Sequence, residues 1–231
     1  MFELINKVKE INPLVLHYTN EVTINDCANI TLALGASPLM SYSDEEVEEI
    51  VSVASSVVIN IGTMNSSRLD LFVKAGKAAN KFNKPVILDP VGVFATKTRI
   101  NFTNKLLNEI KFDVVKGNIA EIKFIGGLDV RGQGVDSFDD GEDISEVVKR
   151  VAIKLGCVVV ATGKVDFISD GNRVIKIYNG TPKLKSVTGT GCMTGSLIGS
   201  DLGAYDSLIK SDEKVRMIEA VAIGVLTMGV S

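Results

Sequence analysis

The chain has 231 residues, of which 45% are hydrophobic and 23% are charged, and its formal net charge is −3. This composition is typical of a globular protein and excludes a disordered, collagen-like or disulfide-scaffold protein. The mildly acidic balance, with no basic block and no Trp, disfavours binding to nucleic acid or to an anionic membrane. Because no linker or repeat interrupts the sequence, we expect a single domain over residues 1–231.

The cysteines and the single histidine limit the chemistry further. Cys27, Cys157 and Cys192 are odd in number and lack CxxC spacing, which indicates reduced thiols and a cytoplasmic protein. His17 alone cannot supply a zinc site of the usual His/Cys type, and we interpret it as a satisfied polar group rather than a base. The N-terminal segment is not a signal peptide, and the apolar run 220–230 is too short to span a membrane.

The first predicted elements of the chain surround a polar turn. The motif HYTN at residues 17–20 precedes a helix that we expect from about residue 25 to Gly35, with Cys27 in its core-facing side. Residues 35–40, GASPLM, are predicted to form a turn with an apolar lip. That lip suits a small aromatic ligand, because Met contacts aromatic faces well.

Short runs of Val and Ile then alternate with amphipathic stretches along most of the chain. Such alternation predicts βαβ units and a mostly parallel sheet covered by helices on both faces, which is an α/β fold. Strands are predicted over 57–61, 85–89, 114–116 and 157–162, and helices over 44–54, 66–82, 102–109, 142–155 and 193–205.

Two later segments depart from this alternation. Residues 166–169 and 173–178 flank an Asp-Gly pair at 170–171, which predicts an antiparallel hairpin. Residues 126–141 are rich in Gly and Asp and are predicted to form a long loop, which at this length is usually functional.

Polar loops follow several of the predicted strands. In a parallel α/β sheet, ligands bind outside the carboxyl ends of the strands, next to the amino ends of helices. Five polar loops at one edge therefore predict an extended site for a polyanionic ligand. These loops are 62–65, 89–92, 116–118, 162–163 and 188–191.

The segment TGTGC at residues 188–192 directly precedes a predicted helix. Its glycines let backbone N–H groups turn toward one point, and the helix amino end adds partial positive charge. Gly189, Thr190 and Gly191 would then stabilise a phosphoryl group in the transition state, and the position of Cys192 favours its thiolate. The alternative is that the glycines only allow close helix–sheet packing and that Cys192 fills space.

Two common nucleotide-binding motifs do not fit the sequence. The GxGxxxG pattern at 189–195 follows no long strand and has no convincing acidic residue about 20 positions later, as a dinucleotide fold requires. GxxxxGK[ST] does not occur anywhere in the chain. If the protein uses ATP, it therefore binds ATP without a P-loop.

Two acidic residues lie at the ends of neighbouring predicted strands. Asp89 and Glu121 could together hold Mg²⁺ through water molecules, the usual manner for that ion beside nucleotide phosphates. Glu121 also fits a helix capping box with Asn118, and one residue can serve both purposes. Lys116 could neutralise phosphate charge, although a lysine at a strand end often just reaches solvent.

These motifs, in this order, resemble the hydroxyethylthiazole kinase family. The resemblance covers nearly the whole chain, from about residue 10 to residue 230. The GTGC element is its most specific part, because the wider ribokinase-like group usually has Asp at the position of Cys192. The matching motifs are HYTN at 17–20 with Asn25, GASPLM at 35–40, NIGT at 60–63, LDPVG at 88–92, KGN at 116–118 with Glu121, GVDS at 134–137, ATG at 161–163 with Asp166, and TGTGC at 188–192.

The resemblance implies a ribokinase-like three-layer α/β/α fold without a separate lid domain. It implies transfer of the ATP γ-phosphoryl group to the hydroxyl of 4-methyl-5-(2-hydroxyethyl)thiazole, a step of thiamine salvage. It further implies a homotrimer with the thiazole site between subunits. The implied contacts are Met40, Gly189 and Asn25 to thiazole, Lys116, Thr162, Asn118 and Asp166 to ATP, Asp89 and Glu121 to Mg²⁺, and Cys192 at the general-base position beside Gly189, Thr190 and Gly191.

The sequence departs from the family pattern in two places. The family commonly has Arg where this chain has Lys116, so a bidentate phosphate contact becomes a point charge. The family also continues with a further helical segment beyond the position of Ser231. A chain that ends there would leave one side of the nucleotide pocket open.

Three other functions stay open from the sequence. A kinase of the same fold for hydroxymethylpyrimidine, pyridoxal or a sugar is disfavoured by Cys192 in place of Asp and by the segment 35–40. An ATP- or ADP-dependent NAD(P)H-hydrate dehydratase of the same fold would be recognised by water elimination from the hydrated cofactor. A non-catalytic protein that binds thiazole or nucleotide would show binding without turnover.

Overall fold

The computed structural model describes residues 3–128, 143–209 and 216–230. The strands are β1 (Leu14–Tyr18), β2 (Ser37–Met40), β3 (Ser56–Asn60), β4 (Val86–Asp89), β5 (Val114–Asn118), β6 (Val158–Thr162), β7 (Asp166–Ser169) and β8 (Val174–Ile177). The helices are α1 (Glu3–Ile11), α2 (Ile24–Leu34), α3 (Val47–Val53), α4 (Leu69–Lys81), α5 (Lys97–Glu109), α6 (Ile119–Gly126), α7 (Ile144–Leu155), α8 (Thr190–Ile209) and α9 (Met217–Val230).

The strands form one eight-stranded sheet in the order β2-β1-β3-β4-β5-β6-β7-β8. Strands β1 to β6 pair in parallel, whereas β7 and β8 complete the sheet as an antiparallel hairpin. Every residue of β3 and β4 is buried, which explains why these strands contain the uninterrupted apolar runs VVI and VIL rather than alternating patterns.

Helices cover both faces of this sheet. Successive strand residues point to opposite faces, so Val57 and Ile59 pack with α3 to α7, whereas Val58 packs with α1, α2, α8 and α9. This is the predicted three-layer α/β/α fold, and the described residues contain no separate lid domain. No helix in the described part of the chain is long and apolar enough to cross a membrane.

Helix α8 approaches the sheet unusually closely because glycines recur every four residues on one of its faces. A Cβ atom added at Gly199 would lie 2.8 Å from Val58 Cγ2, and one at Gly203 would lie 2.9 Å from Pro13 Cβ. Ser56 Oγ also donates a hydrogen bond to the carbonyl oxygen of Gly199 at 2.7 Å. The close packing sets the position of the amino end of α8 at the carboxyl edge of the sheet.

Most element predictions agree with the structure, and the differences have local causes. The four predicted parallel strands and the hairpin are confirmed, with Gly171 at φ 88° in its turn. The helix predicted over 102–109 begins earlier, at Lys97, where the Thr96 side chain caps it by accepting from the N–H of Arg99.

The prediction of a turn over all of 35–40 was wrong. Ser37–Met40 is the strand β2, parallel to β1 at the edge of the sheet, and only the start of the segment turns, with Gly35 at φ 103°. Pro38 suggested a break, but an edge strand tolerates proline because one side of its backbone needs no partner. The predicted loop 126–141 lies outside the described residues, except for its first three residues.

Candidate active site

A buried ion pair lies at the centre of the carboxyl edge of the sheet. Asp89 ends β4, Lys116 lies in β5, and Lys116 Nζ is 2.9 Å from Asp89 Oδ2. Burial raises the pKa of Asp89, while Lys116 and Asn60 oppose that rise. Burial alone would lower the pKa of Lys116, but the nearby negative charges, above all Asp89, raise it. Both groups stay charged, because neutralising one would leave the other charge buried and unpaired.

Two asparagines connect this ion pair to the beginning of α8. Asn60 Nδ2 donates to Asp89 Oδ2 at 2.9 Å, and Asn20 Nδ2 donates to Asn60 Oδ1 at 3.0 Å. Asn20 Nδ2 also lies 3.3 Å from Cys192 Sγ, as a donor to the sulfur. The network thereby joins loops after β1 and β3 to the first turn of α8. Neither asparagine was predicted as a site residue, although both lie within the HYTN and NIGT motifs.

The amino end of α8 is held at this cluster from two sides. Lys116 Nζ donates to the carbonyl oxygen of Gly191 at 2.8 Å. Gly189 has φ 87° and packs so closely on Thr23 that an added Cβ would lie 2.4 Å from Thr23 Cγ2. The glycines therefore provide both close packing and the turn that presents the first backbone N–H groups of α8, and Thr190 anchors this turn through a hydrogen bond to the carbonyl oxygen of Leu184 at 3.2 Å.

Glu121 forms the predicted capping box with Asn118. Glu121 Oε2 accepts from the N–H of Asn118 at 2.7 Å, and Asn118 Oδ1 accepts from the N–H of Glu121 at 2.8 Å. Glu121 Oε1 accepts from the N–H of Gly92, also at 2.7 Å, which fastens the loop after β4. Burial raises the pKa of Glu121, and the charge of Asp89 raises it further. The two acids are therefore close enough to influence each other.

The two carboxylates fit a divalent cation bound largely through water. Asp89 Oδ1 is buried and has no hydrogen-bond partner among the described residues, whereas Oδ2 is occupied by Asn60 and Lys116. An orphaned carboxylate oxygen beside a second acid is a suitable ligand for Mg²⁺, which keeps several waters. Among the described residues there is no group of three or more His, Cys, Asp or Glu side chains that could hold a metal ion. A metal ion at this site would therefore depend on the carboxylates of Asp89 and Glu121.

The ends of β5 and β6 form the next part of the edge. Thr162 Oγ1 donates to the carbonyl oxygen of Gly117 at 3.3 Å, and Asp166 Oδ1 accepts from the N–H of Gly163 at 2.9 Å. Burial raises the pKa of Asp166, and the hydrogen bond from Gly163 partly offsets this. Thr162, Asp166 and Asn118 thus lie at adjacent ends of β6, β7 and β5, in the neighbourhood of Lys116.

Met40 and Asn25 lie toward the other side of the edge. Met40 ends β2, paired in register with His17, and is half-buried, whereas Asn25 in the first turn of α2 is exposed. The structure thus brings most of the predicted residues into one cluster and leaves these two at its periphery.

His17 is a satisfied core group, as expected. Its Nδ1 lies 3.0 Å from the carbonyl oxygen of Val15, and its Nε2 lies 3.0 Å from Ser196 Oγ. Burial lowers the pKa of His17 to about 4, so the ring is neutral at physiological pH. It braces β1 against α8, and Cys27, which is also buried, lies in the same region.

Arg99 is a further residue that the sequence analysis missed. Its Nη1 donates to the carbonyl oxygens of Ile61 and Val91 at 2.9 and 2.8 Å, and its Nη2 donates to that of Gly62 at 2.7 Å. One guanidinium thus connects the loops that directly follow Asn60 at the end of β3 and Asp89 at the end of β4. No local sequence pattern marks such a role, because all its acceptors are backbone atoms.

The fold is that of the ribokinase-like group of proteins. A solved structure of Bacillus subtilis pyridoxal kinase covers 92% of this chain and 88% of its own, with a TM-score of 0.61. At 14% identity this similarity concerns the fold alone. A kinase of this group uses ATP as its co-substrate.

Closer relatives identify the family within that group. The sequence model of the hydroxyethylthiazole kinase family matches residues 5–226. Hydroxyethylthiazole kinase of Clostridioides difficile (strain 630) is 64% identical over 231 residues, which is 100% of this chain and 85% of that protein. The hydroxyethylthiazole kinase structure from Pyrococcus horikoshii OT3 is 36% identical, with a TM-score of 0.84 over 99% of this chain and 82% of its own. The chain therefore belongs to the hydroxyethylthiazole kinase family.

Proposed function

We propose that this protein transfers the γ-phosphoryl group of ATP to the hydroxyl of 4-methyl-5-(2-hydroxyethyl)thiazole, a step of thiamine salvage, in the cytoplasm. The observation that carries the proposal is the amino end of α8, held beside the Asp89–Lys116 pair at the carboxyl edge of the sheet. Relatives that are 64% and 36% identical to this chain carry the name of this activity. Reduced thiols, as indicated by three unpaired cysteines, suit the cytoplasm.

The reaction requires positioning and charge stabilisation more than covalent chemistry. Backbone N–H groups from Gly189 to Gly191 would donate to the transferred phosphoryl group, where the helix amino end favours negative charge. Lys116 adds a cation fixed within 3 Å of this helix turn, as its 2.8 Å contact with Gly191 shows. Together they would bind the charge that develops during transfer.

Asp89 and Glu121 would hold Mg²⁺, which neutralises phosphate charge when bound. The unpartnered Oδ1 of Asp89 supports this role. On the nucleotide side, ATP would contact Lys116, Asn118, Thr162 and Asp166, because these residues lie in the last part of β5, at the end of β6 and at the start of β7.

Cys192 would orient the substrate hydroxyl rather than act as a strong base. Its position in the first turn of α8 places it beside the phosphoryl-binding turn of Gly189 to Gly191. A weak base is adequate, since the transition state of phosphoryl transfer is loose and gains little from early proton removal.

The thiazole ring would contact Met40, Gly189 and Asn25 in a site completed by a second subunit of a homotrimer. The exposure of apolar side chains on and just before α2, the helix that carries Asn25, supports this arrangement: Val22 and Leu32 expose 66% and 57% of their surfaces. Interfaces bury such residues. Light scattering after gel filtration measures the molar mass directly, and a monomer would contradict a shared site.

An assay with Mg²⁺, ATP and the thiazole alcohol tests the function. We expect thiazole phosphate, detected by mass, to form in step with ADP. Turnover of hydroxymethylpyrimidine or pyridoxal instead would assign the protein to another small alcohol, and water elimination from a hydrated nicotinamide cofactor would make it a dehydratase. Thiazole binding without turnover would indicate a binding protein.

A further inference from the structure

We propose that Asn20 is a positioning residue that fixes the Cys192 sulfur through a hydrogen bond from its side-chain amide. The inference deepens the proposed function, since it concerns the same site, but it depends on contacts rather than on the identity of the substrate. Asn20 is buried at the end of the loop after β1 and lies 172 positions before Cys192 in the chain.

The orientation of the Asn20 amide is determined by its neighbours. The backbone N–H of Thr23 lies 3.1 Å from Asn20 Oδ1, and a backbone N–H can only donate. The atom facing Thr23 is therefore the oxygen, and Thr23 Oγ1 lies 3.1 Å from the same oxygen. The amide nitrogen must then face the opposite direction, toward Cys192 and Asn60.

Both hydrogens of that nitrogen are used. One points to Asn60 Oδ1 at 3.0 Å and the other to Cys192 Sγ at 3.3 Å. Asn60 cannot reverse its own amide, because its Oδ1 also accepts from the N–H of Gly62 at 2.8 Å. All of these groups are thus held in one arrangement, and Asn20 Nδ2 offers no lone pair to a thiol hydrogen.

This arrangement has two consequences for Cys192. The fixed N–H group of Asn20 presents partial positive charge to the sulfur, as does the amino end of α8, where Cys192 lies. The sulfur is also held in one place, so that any hydrogen on it points away from Asn20. Cys192 is partly exposed, which leaves it accessible to a substrate hydroxyl or to a reagent.

Thr23, the residue that orients Asn20, is in contact with the proposed phosphoryl-binding turn at Gly189. Thr23, which orients the amide, packs on Gly189 at a distance that excludes any side chain there. The loop before α2 and the loop before α8 therefore fix each other, and Asn20 bridges them to β3. This explains how a residue distant in sequence can set the geometry of Cys192.

Alkylation of Cys192 by iodoacetamide at a fixed pH tests the proposal without reference to kinase activity. Asn20→Asp keeps the shape of the side chain but replaces the donor by an acceptor, and Asn20→Ala removes the donor. We expect the alkylation rate of Cys192, followed by peptide mass, to fall about tenfold in N20D and about threefold in N20A. Asn104→Asp, the same change at an exposed position of α5, should leave the rate unchanged.

The other two cysteines distinguish this effect from a loosened fold. Cys27 is buried and Cys157 is partly buried, and burial raises the pKa of both thiols, that of Cys157 to about 12. A disrupted structure would increase their alkylation, whereas the proposal predicts slow reaction of both in every variant. An unchanged Cys192 rate in folded N20D and N20A would overturn the proposal.

Steady-state kinetics of N20A in the parent protein and in a Cys192→Ala variant then show whether Asn20 acts through Cys192. In the parent protein we expect N20A to lower kcat with the thiazole alcohol and to leave KM for ATP unchanged. On a Cys192→Ala background the same substitution should have little further effect, because the sulfur is gone. Equal losses on both backgrounds would show that Asn20 acts through another group and would contradict the proposal. If the thiazole is not a substrate at all, the alkylation rates still decide the role of Asn20.

Discussion

Asp89 at the end of β4 and Asp201 in the middle of α8 are both buried, with 1% and 0% of their surface exposed. Their hydrogen-bonding surroundings are nevertheless opposite. Asp89 Oδ2 receives hydrogen bonds from Asn60 and Lys116. Both oxygens of Asp201 are without a hydrogen-bond partner among the described residues. Its carboxyl lies against α9, where a Cβ added to Gly224 would come within 3.1 Å of Oδ2.

The difference shows what a buried carboxylate requires. At the edge of the sheet, Asn60 supplies a hydrogen-bond donor and Lys116 supplies a cation. Together they stabilise the charged form of Asp89. Between two apolar helices, burial raises the pKa of Asp201 well above its usual range, so that the group stays protonated. Nothing in the described structure explains an aspartate at this position.

The largest effect should follow from breaking the network itself. Lys116→Met leaves Asp89 buried without its cation, and we expect a loss of about 3–5 kcal/mol in the free energy of unfolding together with loss of kinase activity. Urea denaturation measures the stability. The double variant D89N/K116M should regain much of the loss, because neither charge remains, and a K116M protein as stable as the parent would contradict the assigned ion pair.

The opposite change is expected at the orphaned carboxyl. Asp201→Leu should raise the free energy of unfolding at pH 8 by about 1–3 kcal/mol, since an unsatisfied buried polar group is removed. The folded-state pKa of Asp201 is raised, so its contribution to stability is full below the unfolded pKa and is lost as pH rises through the folded pKa.

The pH dependence separates charge from packing at Asp201. The difference in stability between Asp201→Asn and the parent should therefore grow as pH increases from about 4, and urea titrations at several pH values measure it. A constant difference across this range would mean that Asp201 does not change protonation on unfolding.

A smaller effect is expected for the second acid of the edge. Glu121→Gln removes a negative charge from the proposed Mg²⁺ site, and we expect the Mg²⁺ concentration for half-maximal activity to rise about tenfold. The matched control is Glu146→Gln, at an exposed position in the first turn of α7. Equal Mg²⁺ dependence in both variants would remove Glu121 from the metal site.

The smallest effect is expected at the thiol. Cys192→Ser replaces the thiol by a hydroxyl at the same position, and we expect kcat to fall by less than about tenfold, because positioning and charge dominate the reaction. Steady-state kinetics at saturating ATP and thiazole measure it. Complete loss of activity in a folded C192S protein would instead assign Cys192 an essential role in proton transfer.

The sequence predicts those features that are local. Strands β3 to β6 are recognisable because both of their faces are buried and each contains an uninterrupted apolar run that begins with Val. The capping box is visible because Asn118 and Glu121 are three residues apart. β2 was missed because SPLM contains a proline, and the tolerance of an edge strand is a property of the whole sheet.

The remaining features depend on contacts that sequence spacing does not reveal. Asn20 meets Cys192 only because α8 packs across β1 and β3, and the donors that orient Asn20 belong to a turn. Arg99 holds backbone carbonyls, which every sequence has. Asp201 is an ordinary acid in the sequence, and only the packing of α9 on α8 makes it a buried, unpartnered one.

The most direct test follows the phosphoryl group itself. ATP labelled with ¹⁸O in its γ-phosphoryl group is incubated with the protein, Mg²⁺ and 4-methyl-5-(2-hydroxyethyl)thiazole, and the products are analysed by mass. The proposed reaction predicts thiazole phosphate with three heavy oxygens and a light bridging oxygen from the alcohol. Heavy inorganic phosphate beside unmodified thiazole would contradict it.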